Sequence, residues 1–328
     1  MKNPVKYIFY RLSGVILIVV IGSVIYQFTI YPQIKKSEGW LQELAENKLD
    51  KHASIYYFSS STNKSTAPID SDKRSIVEIV QSVVGQKITS IDTGAIHCGI
   101  FYEILKKIPE SQSIDKIIVD LNVRSFGNNW IHSGLENSLQ RNLIYWNNYP
   151  GVYNHLRASL KMYNYQAPAV HIRAIEYGEK FTKIPFRKPH NTIKNWCDSL
   201  FNIPNHNEAG LEMIKHFGHF IDEKNPMLEN ADLIVEWCKK RSIPLVFIIL
   251  PEDVSKMRRL VGEDLASLVE KNADFLEKRY SSKSVEVINL VNDLDENVFF
   301  ESFPTEHYKS FGRKYVAQKM IEIINVKR

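Results

Sequence analysis

Apolar positions fall in two rhythms along this chain. Short, near-continuous apolar runs occur at 54–59 (SIYYFS), 87–94 (KITSIDTG), 116–122 (KIIVDLN), 244–251 (PLVFIILP) and 285–290 (VEVINL). Runs of this length and β-branched or aromatic character predict strands, and KIIVDLN is of the kind buried on both faces of a parallel sheet. Between them, apolar residues at helical spacing predict helices over 73–84, 95–108, 230–241 and 263–279, with a closing amphipathic helix from His307 to Ile324. Strand–helix–strand alternation of this sort predicts an α/β fold: a three-layer, doubly wound, flavodoxin-like parallel sheet.

One stretch follows neither rhythm. From Leu12 to Ile34 there is no charged residue, and LSGVILIVVIGSVIYQFTIY is long enough to cross a bilayer as one helix. Lys2, Lys6 and Arg11 precede it, which by the positive-inside rule places the N-terminus in the cytoplasm and the main domain outside it; Lys35 and Lys36 follow. A cleaved signal peptide needs a small-residue cleavage site, and SVIYQFTIYPQI offers bulky residues instead. The expected organisation is a tail over 1–11, a transmembrane anchor over 12–34, a stalk over 35–52 and an α/β domain over 53–328. Within that domain regularity fails from about 127 to 226, which holds seven of the ten histidines and reads as a mostly helical insertion over the mouth of the sheet.

The 328 residues carry a formal charge of +5 with no block of like charges and no nucleic-acid-binding signature, so nucleic acid is not an expected partner. Cys98, Cys197 and Cys238 are too few for a disulfide framework or a zinc knuckle. His216 and His219, three apart, lack a compelling third metal ligand.

Polar residues with chemical capability stand where the apolar runs end. Ser61 lies in the run Ser59-Ser60-Ser61-Thr62-Asn63 after the first strand, Gly94 closes the second, Asn122 closes the third, and His307 lies near the C-terminus. The carboxyl ends of strands are where an open α/β sheet collects its site. A hydroxyl, a carboxamide, an unhindered backbone N–H and an imidazole suit acyl transfer through a covalent serine. Each has a plainer reading as a cap, a turn residue or an exposed side chain. Glu306 and Glu301 are the carboxylates near His307 able to orient its ring. Arg124 reads either as a binder of a carboxylate or phosphate on a polymer or as half of a structural ion pair.

Together these segments resemble the SGNH/GDSL hydrolase-like superfamily, in its membrane-anchored extracytoplasmic branch of polysaccharide O-acyltransferases and esterases. Ser59-Ser60-Ser61 occupies the slot of the Gly-Asp-Ser motif, with Asn63 trailing; Gly94, Asn122, and His307 with Gly312 match the later motifs. Ser59 and Ser60 replace the usual Gly and Asp, and Pro304 stands where an Asp commonly precedes the histidine by three. The resemblance implies Ser61 as nucleophile, His307 as base with Glu306 or Glu301 as acid, Gly94 and Asn122 as the oxyanion hole, and Arg124 and Asn63 on the substrate. It implies no metal or organic cofactor. It further implies an esterase or O-acyltransferase acting on acyl groups, acetyl foremost, of a cell-envelope or secreted polysaccharide, beside a polytopic membrane O-acyltransferase. A glycan-binding or assembly protein that keeps the fold without catalysis is the alternative.

Overall fold

A computed structural model describes residues 4–50, 52–127, 130, 134–147, 149–160, 208–282, 284–301 and 306–325. Its central feature is a five-stranded, wholly parallel sheet of order β2-β1-β3-β4-β5, with β1 Ile55–Ser59, β2 Ile88–Asp92, β3 Lys116–Leu121, β4 Leu245–Ile249 and β5 Val285–Asn289. All five coincide with the apolar runs of the sequence.

Period-two alternation sends side chains to two covered faces. Ile55 and Tyr57 of β1, Ile118 of β3, and Val246 and Ile248 of β4 share a core with helices α4 (Ile76–Val84) and α12 (Ser310–Asn325). On the opposite face Tyr56 stacks on Phe58, Phe58 meets Phe101 of α5 (Cys98–Leu105), and Phe247 meets Tyr280 of α11 (Glu263–Tyr280). The architecture is therefore α/β in three layers. Helix α4 starts on a capping box, Ser75 with Glu78, and stops at Gly85 in the left-handed region, φ 67°.

Numbered in the same chain order, the remaining helices are α1 Pro4–Thr29, α2 Tyr31–Glu38, α3 Trp40–Lys48, α6 Gly134–Trp146, α7 Gly151–Ser159, α8 Glu208–Phe217, α9 Leu228–Lys240 and α10 Val254–Leu260. Helix α1 contains a 24-residue apolar segment, Lys6–Thr29, long enough to cross a membrane. It stops at Thr29, five residues short of the charge-free stretch's end, and Pro32 lies in the first turn of α2.

The chain divides into two compact units, one of residues 1–46 and 137–166, the other of 47–136 and 167–328. In the first, Tyr31, Ile144, Tyr145 and Ala158 form a small core. The second carries the sheet. Most of the sequence-defined insertion, including Cys197, lies outside the described residues; its described parts include α6, α7, α8 and residues 218–226. Cys98 and Cys238 are buried free thiols.

Candidate active site

The chain leaves β1 for β2 on one side and returns to place β3 on the other. The carboxyl ends of β1 and β3 therefore flank a topological switch point, where a crevice opens in sheets of this kind. Ser61 lies two residues past β1 and Asn122 one residue past β3.

After β1 the backbone turns at once into a short 3-10 turn, Ser61–Asn63, capped by the Ser60 hydroxyl, which accepts from Thr62 N–H. Ser59, Ser60, Thr62 and Asn63 are all buried, and Ser61 alone of the five reaches partial exposure. Asn63 does not meet the substrate role expected of it. Its side chain is fully buried: Nδ2 donates to Asp92 at the end of β2, and Oδ1 accepts from Val77 N–H at 3.0 Å in the first turn of α4. Both ends of the amide are occupied in tying strand to helix.

His307 reaches the same place from 246 positions away: its Nε2 lies 2.9 Å from Ser61 Oγ. The sequence suggested that His307 opens the last helix, but α12 begins three residues later, at Ser310. His307 instead sits in a segment bridged antiparallel to the chain before it, through Phe299 and Tyr308 and a bond from Phe300 N–H to the His307 carbonyl at 2.9 Å. Tyr308 anchors this segment just past the carboxyl end of β4 by donating its hydroxyl to the Pro251 carbonyl at 2.9 Å. Gly312 lets α12 close over it, since a Cβ there would stand 2.7 Å from Tyr308 Cβ.

Asn122 caps the short turn Val123–Phe126, its Oδ1 accepting from Arg124 N–H at 3.0 Å, while Nδ2 donates to Glu306 Oε1 at 3.2 Å. The Arg124 guanidinium forms a buried ion pair with the same Glu306 oxygen and lies 5.2 Å from the Trp130 ring centroid. Arg124 thus takes the ion-pair reading, its charge spent inside the protein. Among the described residues, neither expected acid hydrogen-bonds to His307. Glu306 faces Asn122 and Arg124, and Glu301 is exposed, its backbone carbonyl accepting from Lys256 Nζ at 2.7 Å. Among the described residues, the side chain that hydrogen-bonds the His307 ring is Ser61.

Burial pushes the His307 imidazole below its ordinary value; Glu306 pulls it up and Arg124 pushes it further down. A neutral ring with its proton on Nδ1 leaves the Nε2 lone pair facing the Ser61 hydroxyl, the state a general base requires. Gly94 lies exposed in the turn after β2, with open space where a Cβ would go. The left-handed position of that turn falls on its neighbour Ala95, φ 65°.

Sequence reasoning passed over three buried features around this pair. Arg313 and Asp70 form an ion pair between α12 and the segment that follows Ser61; the only local signal was a cation three residues before Val316 on the apolar stripe of the last helix. Asp120, two residues before Asn122, accepts from the Tyr57 hydroxyl at 2.7 Å, and burial pushes its carboxyl up to about 7. His97 and Glu136 make a buried contact at 2.6 Å, with the Trp130 ring 6.5 Å from His97. His219 is buried beside Gly127 and pushed down to about 4 by that burial, the position of a packed side chain.

A serine after β1, a glycine after β2, an asparagine after β3 and a histidine before the last helix stand on a parallel sheet of order 2-1-3-4-5. The fold is a doubly wound parallel α/β sheet with helices on both faces. Solved structures similar to this chain include a catalytic mutant of an acetylxylan esterase from Geobacillus stearothermophilus, at 10% identity and a TM-score of 0.42, covering 85% of this chain and 97% of that one. Another is a GDSL-like lipase from Bacteroides thetaiotaomicron, at 8% identity and a TM-score of 0.37, covering 87% and 98%. No family model matches the chain, and no curated protein sequence matches it.

Proposed function

We propose that this protein is a membrane-anchored serine esterase or O-acyltransferase that works on ester-linked acyl groups, acetyl foremost, of a cell-envelope or secreted polysaccharide. The 2.9 Å contact between Ser61 Oγ and His307 Nε2 at the switch point carries the reading. Ser61 Oγ attacks the acyl carbonyl as His307 Nε2 takes the hydroxyl proton. The tetrahedral oxyanion collapses, the C–O bond to the sugar breaks, and the imidazolium returns the proton to the departing sugar oxygen. Water or a second sugar hydroxyl then attacks acyl-Ser61 with the same base, regenerating the serine. Gly94 N–H and the second N–H of the Asn122 amide are the proposed oxyanion donors. Helix α1 is the proposed anchor, with the catalytic unit outside the cytoplasm, and a polytopic membrane O-acyltransferase is the proposed source of acyl groups.

The test is hydrolysis of p-nitrophenyl acetate by the full chain in detergent. Ser61→Ala and His307→Ala should each lower kcat/KM by about 10³-fold or more. The use of both Asn122 and Glu306 in an inward-facing network favours a second reading, a glycan-binding protein without turnover. Equal trace rates in native protein and Ser61→Ala would establish that reading instead.

A further inference from the structure

Helix α7 presents two opposite faces. Gly151, Asn154 and Ala158 are buried and look toward the end of α1 and the start of α2. Gly151 N–H donates to Gln27 Oε1 at 2.7 Å, Asn154 Nδ2 donates to the Tyr31 hydroxyl at 3.0 Å, and the His155 ring stands 5.8 Å from that of Tyr26. The fit is close: a Cβ on Gly151 would fall 2.5 Å from Tyr31 Cγ. On the other side, Val152, Tyr153, Leu156 and Leu160, at spacings of one, four and eight, form a continuous apolar stripe with Tyr149 just before the helix. They are 40–62% exposed. A stripe of this kind on a water-facing helix costs free energy unless something apolar covers it.

Position along α1 identifies the cover. Gln27 lies two residues before the end of the apolar segment Lys6–Thr29, along which the large apolar side chains of residues 7–25 and Phe28 are exposed. At 1.5 Å per residue, the α7 contacts sit in the last turn of that span, the depth of the headgroup and upper acyl region. The stripe's chemistry suits this depth. Tyr149 and Tyr153 are residues of the membrane–water boundary, and the Arg157 guanidinium lies 5.8 Å from each of their rings, an arrangement that keeps a cation beside lipid phosphate while its stem lies on apolar surface. We infer that α7 is an interfacial helix whose Val152–Leu160 stripe enters the bilayer surface beside α1, so that the first unit holds the membrane by two elements. The inference rests on α1 being a membrane anchor, and it names the lipid bilayer, rather than a second copy or another protein, as the occupant.

Depth-resolved quenching in phosphatidylcholine vesicles tests it on the full chain. In a Cys197→Ser background the remaining thiols, Cys98 and Cys238, are buried. Single variants Leu156→Cys, Ile18→Cys and Lys278→Cys, each carrying an NBD label, report respectively the stripe, the middle of α1 and an exposed reference on α11. Circular dichroism matched to the unlabelled protein establishes that each is folded. Lipids with a shallow doxyl group should quench the Leu156 position at least three times more than the Lys278 position, and deep doxyl lipids should quench Ile18. Strong quenching at Ile18 with Leu156 at the reference level would overturn the inference and leave the anchor standing. No quenching at Ile18 would overturn the anchor and the inference with it.

Discussion

Arg313 Nη1 stands 2.8 Å from Asp70 Oδ2, and both side chains are sealed from solvent. The same guanidinium donates to the carbonyls of Ser65 at 3.1 Å, Tyr308 at 2.9 Å, Asp72 at 2.5 Å and Arg74 at 3.1 Å, while Asp70 Oδ1 accepts from Ser310 N–H at 3.0 Å. One cation thereby fastens the segment after Ser61 to the segment after His307. Burial by itself would raise the Asp70 carboxyl; the bonds from Arg313, Ser310 and Ala67 outweigh it and hold it below its ordinary value.

Arg313→Met should cost about 3–5 kcal/mol, because it leaves Asp70 buried and unpaired. Arg313→Lys should recover only part of this, since an ammonium cannot reach the fork of carbonyls that the guanidinium serves. Thermal unfolding of the full chain in detergent measures both. Where Arg313→Lys still folds, kcat should fall more than KM rises, because the Ser61–His307 contact loosens; unchanged kcat would show that the clasp does not set that contact.

Of the three consecutive serines, one should react. Ser59 and Ser60 are buried, and the Ser60 hydroxyl is used as a cap, whereas Ser61 is partly exposed and faces an imidazole. A fluorophosphonate should therefore give a single adduct at Ser61 in peptide maps, and His307→Ala should slow its formation by at least about 10²-fold. An adduct distributed over Ser59, Ser60 and Ser61 would contradict the geometry.

Composition alone does not make this selection, since three serines in a row are equivalent, and only the resemblance to the superfamily singled out Ser61. What was visible was whatever depends on local pattern: five strands, because buried parallel strands are runs of apolar residues, and the switch-point placement of Ser61 and Asn122, because each follows such a run. What escaped depends on pairing across long separations. Glu306 read as a carboxylate able to orient the imidazole, but its position is fixed by Arg124, 182 residues earlier. His307 read as the start of a helix because PTEHY has helix-start composition; the bridge of Tyr308 to Phe299 that delays α12 has no local signature. Asn63 sits in a turn as its neighbours suggest, and only the arrival of α4 shows that it is closed off.

The acid limb of the pH–rate profile should lie below the ordinary imidazole value of 6.5. Desolvation depresses His307, so the neutral base forms at lower pH than in a free histidine. kcat/KM for p-nitrophenyl acetate should rise with pH through that limb and level off before neutrality. A limb above 6.5 would mean that a carboxylate acts on the ring more strongly than the buried environment does.

Asp120 should make stability depend on pH in the opposite sense to most carboxylates. Its folded value of about 7 is above the ordinary 3.8. Between these values the folded state keeps a proton that the unfolded state has lost, so stability falls as pH rises from about 4 to about 7, by ~4 kcal/mol in all. Asp120→Asn keeps an acceptor for the Tyr57 hydroxyl and removes the ionisation. The variant should gain stability over the native protein as pH rises through this window and hold a constant advantage above it. Parallel stability curves for the two proteins from pH 4 to 8 would show that Asp120 titrates normally.

The hydroxyl and the imidazole come from places 246 positions apart, and the bridge beside the second joins Phe299 to Tyr308, both of which follow β5 in the chain. A chain growing from its N-terminus therefore carries Ser61 for most of its synthesis before His307 has been added. On the proposed reading of this pair, reactivity toward acyl groups waits for the C-terminal segment, so its onset coincides with the closing step of assembly.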